Sequence, residues 1–97
     1  AKMRLDAAEL MIRKASWLID NGQPCGAEAN MAKWLAADAA FFAADRAVQT
    51  HGGFGYATEY HVERYWREAR LMKIAPISQE MVQNFVSEHV LELPKSY

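Results

Sequence analysis

Gln49-Thr50-His51-Gly52-Gly53-Phe54-Gly55-Tyr56 divides this chain in two. Its glycines end one helical pattern, and a charge-paired block, Glu63-Arg64 followed by Arg67-Glu68-Ala69-Arg70, opens the next. Glycine adopts positive φ cheaply, so the stretch reads first as a helix C-cap and corner. It follows a helix and not a strand, which excludes a dinucleotide fingerprint of the Rossmann type. What the glycines add is close backbone approach, with N–H donors available to an anionic ligand.

Upstream of the corner, a long helix is predicted from about Ala27 to Gln49. Alanines at 29, 32, 36, 39, 40, 43, 44 and 47 favour helix and let neighbours approach closely, while Trp34, Leu35, Phe41 and Phe42 supply bulk. Such a length suits a bundle spine. Before it, Leu5, Ala8, Ile12, Ala15 and Ile19 recur at three- and four-residue spacing, which predicts a helix over Lys2 to Asp20 with these as its apolar stripe. Asn21-Gly22-Gln23-Pro24 stops that helix.

Downstream, a third helix is expected from Thr58 or Glu59 to about Lys73, with Val62, Trp66, Ala69 and Met72 or Lys73 as its stripe. Glu63–Arg67 and Arg64–Glu68 stand i, i+4 on its other side. Pro76 breaks the pattern, and Ser78 is a natural N-cap for a fourth helix reaching about Leu91. Met81, Val82, Phe85, His89 and Val90 form its apolar side, and Leu93-Pro94-Lys95-Ser96-Tyr97 reads as a tail. No segment alternates as a strand does. The fold class is therefore all-α, an antiparallel up-down helical bundle of three to four helices.

At 97 residues the chain is one small domain or part of one. It opens at Ala1 directly into a helical pattern without an initiator Met, so it is expected to be a piece of a longer protein. The net charge of −1, with both signs interspersed, gives no basic surface for nucleic acid. The longest apolar run, Ala36 to Ala44, is interrupted by Asp38 and is too short for membrane insertion. Cys25 is the sole cysteine, which excludes an internal disulfide and a cysteine-based metal site. His51, His61 and His89 make no two-ligand pair on a helix face, so no metal is expected. His89 is read as a packing residue, and Met11, Trp17, Trp34, Trp66 and Met81 as core.

The corner and the charged block together resemble the C-terminal domain of the acyl-CoA dehydrogenase family. There a Gln-x-x-Gly-Gly-x-Gly-Tyr pattern ends a long helix, and a Glu-Arg-x-x-Arg-Asp-Ala-Arg block follows it. In this chain Glu68 replaces the usual Asp, and His61 stands where a Pro commonly precedes the block. The third matching element is Ile74-Ala75-Pro76-Ile77-Ser78-Gln79-Glu80-Met81, which stands in the place of Ile-Tyr-Glu-Gly-Thr-x-Glu/Gln-Ile. The resemblance covers essentially the whole chain and is strongest from Gln49 to Glu80. It makes residues 1–97 a C-terminal helical bundle domain lacking its first helix or helices.

The resemblance implies FAD as cofactor and α,β-dehydrogenation of an acyl-CoA thioester by the parent enzyme, with this piece inactive alone. Gln49, Gly52 and Gly53 would touch the ADP portion of a flavin bound mainly by a neighbouring subunit. Ser78 and Glu80 would keep the family's Thr-x-Glu/Gln flavin contact. Ala75 and Pro76 would line the acyl pocket, Ala75 leaving room for a bulky or branched acyl group. Pro76 occupies the usual position of the catalytic base and cannot accept a proton, so no catalytic residue is assigned here. In some branches of the family that base stands on an earlier helix; otherwise the parent has lost dehydrogenation. A homodimer or homotetramer and an electron-transfer flavoprotein as electron acceptor are implied as partners. Location would be cytoplasmic in a bacterium or the mitochondrial matrix in a eukaryote. Two other readings fit parts of the pattern: an acyl-CoA oxidase-like flavin oxidase, and a helical interaction module that binds no flavin.

Overall fold

Helix α1 spans Lys2–Asp20, as its periodicity predicts. Its end is a Schellman turn: Gly22 takes φ 66°, Gln23 N–H donates to the Leu18 carbonyl at 2.9 Å, and Gly22 N–H to Ile19 at 3.0 Å. The computed structural model describes residues 1–95, so Ser96 and Tyr97 of the expected tail lie outside the described residues. Helix α2, Gly26–His51, runs one residue earlier and two later than expected, and its 26 residues give a rod of about 39 Å. No described helix is long and apolar enough to cross a membrane.

Two ion pairs show how α1 lies on α2. Arg4 Nη1 meets Asp38 Oδ2 at 3.0 Å and Lys14 Nζ meets Glu28 Oε1 at 3.0 Å, an antiparallel register. Between them Ala8 of α1 is buried, and Ala32, Ala37 and Ala39 of α2 are buried as well. Small side chains on both surfaces let the helix axes come close.

Beyond α2 the backbone tightens into two 3-10 turns, Gly52–Tyr56 and Thr58–Tyr60. Phe54 and Tyr60 rings meet at 5.2 Å there. The third helix therefore starts later than predicted: α3 is Val62–Leu71. His61 takes φ 60° and ψ −15°, a left-handed conformation that a helix cannot contain. Both expected i, i+4 pairs form, Arg67–Glu63 at 2.9 Å and Arg64–Glu68 at 3.8 Å. Of the expected stripe, Val62 is buried, Trp66, Ala69 and Lys73 are half-buried, and Met72 is exposed.

Helix α4 is Gln79–His89, two residues shorter than expected at its end. The Ser78 hydroxyl caps it by accepting Met81 N–H at 3.3 Å, as predicted. Both later helices pack on α2 and not on each other or on α1. Trp66 lies beside Phe41 and Asp45, and Lys73 beside Asp38, so α3 covers the C-terminal half of α2. Gln79 bonds to Trp34 and the Phe85 ring lies near Gly26, so α4 covers the N-terminal half. The two helices thus follow one another along a single track antiparallel to α2, broken by residues 72–78. The up-down bundle has three tracks made of four helices.

Three tracks side by side make a slab. Its extents are 46 × 33 × 20 Å and its radius of gyration is 15.9 Å, against about 12–13 Å for a compact chain of this size. A helix at the edge of a slab has one neighbour, which corrects part of the predicted core. Leu5, Ile12 and Ile19 of the α1 stripe are exposed, and the residues turned to α2 are Ala8, Met11, Ala15 and Leu18. Met3, Leu10 and Trp17 are exposed on the other flank of α1, and Met81 and Val90 are exposed on α4. His89 is exposed too, stacked on Phe85 at 4.3 Å. Val82 is the one large side chain fully enclosed among the described residues.

The corner glycines serve three different ends. Gly52 adopts φ 60° and ψ −139°, which disfavours any side chain. A Cβ on Gly55 would sit 2.3 Å from the Val48 carbonyl oxygen, so Gly55 lets the corner fold back on α2. Gly53 has neither constraint, and a Cβ there meets nothing within 4 Å. Gly55→Ala is therefore expected to cost about 2–3 kcal/mol in urea melts of the whole protein, and Gly53→Ala less than about 0.5 kcal/mol. Equal losses at both positions would contradict this division. At His61 a proline is excluded by φ 60°, so His61→Pro should cost about 3 kcal/mol. His61→Gly should be neutral or stabilising by up to about 1 kcal/mol in the same melts.

Candidate functional site

Residues singled out by the sequence gather at two separate places. The first is the corner at the end of α2. Gln49 lies in the last turn with its side chain exposed, and its carbonyl accepts the Gly52 N–H. Open space beside Gly52 and Gly53 leaves that backbone free to meet a ligand, while Phe54 and Tyr56 are 65% and 89% exposed around it. Below lies a cleft of about 420 Å³ walled by Asp45, Val48, Tyr56, Trp66 and Arg67. Its charges are already partnered. Arg46 beside Asp45, and then the Trp66 indole N–H at 3.2 Å, hold the Asp45 carboxyl below its usual range, and Arg67 is paired with Glu63.

The second place is the break between α3 and α4. A cleft of about 330 Å³ is walled there by Trp34, Arg70, Lys73, Ser78, Glu80 and Gln83. Glu80 sits in the first turn of α4, where its own backbone N–H and then the Ser78 hydroxyl hold its carboxyl below the usual range. Arg70 and Lys33 add smaller attraction. Such a carboxylate is an acceptor for hydroxyl or N–H donors and a weak proton acceptor. Ala75 is half-buried and Pro76 exposed in the adjoining loop, and neither lines this cleft.

The fold does not bring the two places together. Trp34 and His51 mark them on α2, and the helix between spans about 25 Å. Gln49, Gly52 and Gly53 lie together at the corner, and Ser78 and Glu80 lie together at the break.

Several polar residues that the sequence reading passed over organise the second place. Lys33 Nζ donates to the Ile77 carbonyl and lies 3.4 Å from Gln79 Oε1. Gln79, buried at 6% exposure, donates to the Trp34 carbonyl at 3.2 Å. Asp38 receives Lys73 at 3.0 Å as well as Arg4. A signal was present: Lys33 and Asp38 are isolated charges within an alanine-rich helix, and a charge in such a setting is kept only with partners.

The family model described as acyl-CoA dehydrogenase, C-terminal domain, matches residues 1–91. An acyl-CoA dehydrogenase of Mycobacterium tuberculosis is 50% identical over 97 residues, covering 98% of this chain and 25% of the relative. Butyryl-CoA dehydrogenase from Megasphaera elsdenii superposes with a TM-score of 0.88 at 33% identity, over 93% of this chain and 24% of that one. A chain in the structure described as the electron transferring flavoprotein of Acidaminococcus fermentans also superposes at 0.88, with 32% identity over 93% of this chain and 24% of that one. The chain thus spans about a quarter of the length of the proteins it matches. With corner, charged block and helical tracks in agreement, the chain belongs to the acyl-CoA dehydrogenase family and matches its C-terminal domain.

Proposed function

We propose that the protein to which this chain belongs is an FAD-dependent acyl-CoA dehydrogenase, and that this domain supplies flavin contacts and part of an oligomer interface. The observation that carries the reading is the divided glycine corner. Gly55 is required by packing, whereas Gly53 is free of both packing and backbone constraint beside an exposed Gln49. A small residue with no internal reason to be small suits the close approach of a ligand.

The residues present fit FAD at both places. Backbone open at Gly52 and Gly53, with the Gln49 amide beside it, suits the ADP portion. The ionised Glu80, with Ser78, suits the hydroxyl groups of the cofactor better than its phosphates, which a carboxylate would repel. When bound, the flavin would supply the hydride acceptor for the β-hydrogen of the acyl chain. Two contact surfaces separated by about 25 Å along one long helix support a cofactor completed by two chains, hence a homodimer or homotetramer. Exposed apolar flanks on α1 offer area for further packing, whether by the rest of the protein or by a second copy.

Within this domain no residue is assigned as the base. Pro76 cannot accept a proton, and Glu80 stands four residues further on, inside the first turn of α4, with its carboxyl engaged by its own backbone N–H and the Ser78 hydroxyl. The base is placed on another segment of the whole protein, as in the branches of the family that carry it on an earlier helix. Ala75 and Pro76 take the acyl-pocket role that the family's loop gives them, and an electron-transfer flavoprotein is the proposed electron acceptor. The similarity to the chain described with the Acidaminococcus flavoprotein supports that last partner.

Two outcomes are expected. Gly53→Leu in the whole protein should lower bound flavin per chain, read from its visible absorbance, while far-ultraviolet circular dichroism stays unchanged; full flavin content would remove the corner from the cofactor site. Anaerobic addition of short, branched and long acyl-CoAs to the wild-type protein should bleach its flavin band with one class. A band that none of them bleaches would overturn the dehydrogenase reading.

A further inference from the structure

The segment that would shape the acyl pocket has little to hold it from within. Residues 72–78 interrupt the α3–α4 track, and Ile74 and Ile77 are 56% and 50% exposed, so apolar burial does not fix the loop. Its own backbone bonds lie at its base, where Ala75 N–H donates to Leu71 at 2.9 Å and Gln79 N–H to Lys73 at 3.2 Å. Nothing in that set constrains the far limb.

Helix α2 supplies the constraint. Lys33 reaches across to donate to the Ile77 carbonyl, on the far limb. Its second contact is the Gln79 side-chain oxygen, while the Gln79 amide nitrogen donates to the carbonyl of Trp34, the next residue of α2. Gln79 is buried, so leaving its amide unpaired would be costly, and this fixes the rotamer that faces Lys33. Asp38 anchors the near limb through Lys73. Lys33 has no carboxylate within ion-pair distance among the described residues, which sets it apart from Lys14 and Lys73. Its direct contacts are a loop carbonyl and an amide oxygen, and its attraction to the Glu80 carboxylate is a smaller effect without an ion-pair contact, so its hydrogen bonds act chiefly on the course of the loop.

Resting on the dehydrogenase reading above, we propose that Lys33, with Gln79, is a positioning residue that sets the course of residues 74–78 and thereby the fit of the acyl-CoA. It touches neither substrate nor cofactor in this role; it acts through the Ile77 carbonyl and the start of α4.

The test compares Lys33→Met and Lys33→Arg in the whole flavin-loaded protein. Methionine keeps the aliphatic stem and removes the donors, and arginine restores them. With Lys33→Met, the KM for the acyl-CoA that bleaches the wild type should rise about tenfold while kcat changes less than about twofold. Hydrogen–deuterium exchange should quicken in residues 74–79 and stay unchanged in α1 and α3. Lys33→Arg should return both readouts toward the wild type. Unchanged KM and unchanged loop exchange in Lys33→Met would overturn the proposal. Faster exchange spread over α2 and α4, with arginine giving no rescue, would equally overturn it by making Lys33 a general helix tie. If no acyl-CoA bleaches the wild type, the dehydrogenase reading fails and the substrate half of the proposal falls with it. Loop exchange then still decides whether Lys33 holds the loop.

Discussion

The carboxylate of Asp38 holds the slab together at its middle. One oxygen receives Arg4 from α1 and the other receives Lys73, two residues past the end of α3, each at 3.0 Å. Since α1 and α3 make no contact with each other, this carboxylate is their one common point of attachment among the described residues besides the surface of α2 itself. Removing one partner would leave a half-buried charge with a single cation, and removing Asp38 would leave two cations facing each other across α2. Arg4 also lies over the Phe42 ring at 3.9 Å, which ties the ionic pair to the aromatic row of α2.

Around that point α2 is mostly alanine, and the energetics follow from it. Alanine gains little from burial, about 0.8 kcal/mol per methyl-sized group, so close approach over a long surface has to replace bulk. Directional contacts then decide which residue meets which. Lys33, Asp38 and Asp45, spaced along the same rod, reach the α4 start, the α1–Lys73 pair and the α3 indole respectively. An alanine spine would let its neighbours slide; these three fix the register.

Much of this was legible before any coordinates. Period and caps gave α1 with both its ends, because Gly22 and the residues after it are local signals that need no tertiary contact. Ser78 was legible as a cap for the same reason. The start of α3 was not: Thr58 and Glu59 are adequate helix formers, and the left-handed turn at His61 is imposed by the corner folding back on α2. The α1 stripe was only partly legible: Ala8 and Ala15 do face α2, but Leu5, Ile12 and Ile19 lie on an exposed flank while Met11 and Leu18 complete the contact face, since periodicity cannot tell a flank from the contact face when both are apolar. At the candidate site, Gln49, Gly52, Gly53, Ser78 and Glu80 came from a family pattern and not from physical necessity. The pattern could not show that Gly55 alone is required by packing, or that Gln79, the variable position between Ser78 and Glu80, is the buried one.

The break at residues 72–78 also bears on how such a protein can change. Because α3 and α4 lie end to end on one partner and meet α2 independently, the loop between them is held at its two ends, by Lys73 on Asp38 and by the Ser78 cap, while its middle is exposed. Pro76 is exposed, so a carboxylate, a proline or another side chain can be exchanged there without reshaping the slab. On the reading proposed above, with the base on another segment of the whole protein, the same slab serves with a proline at 76.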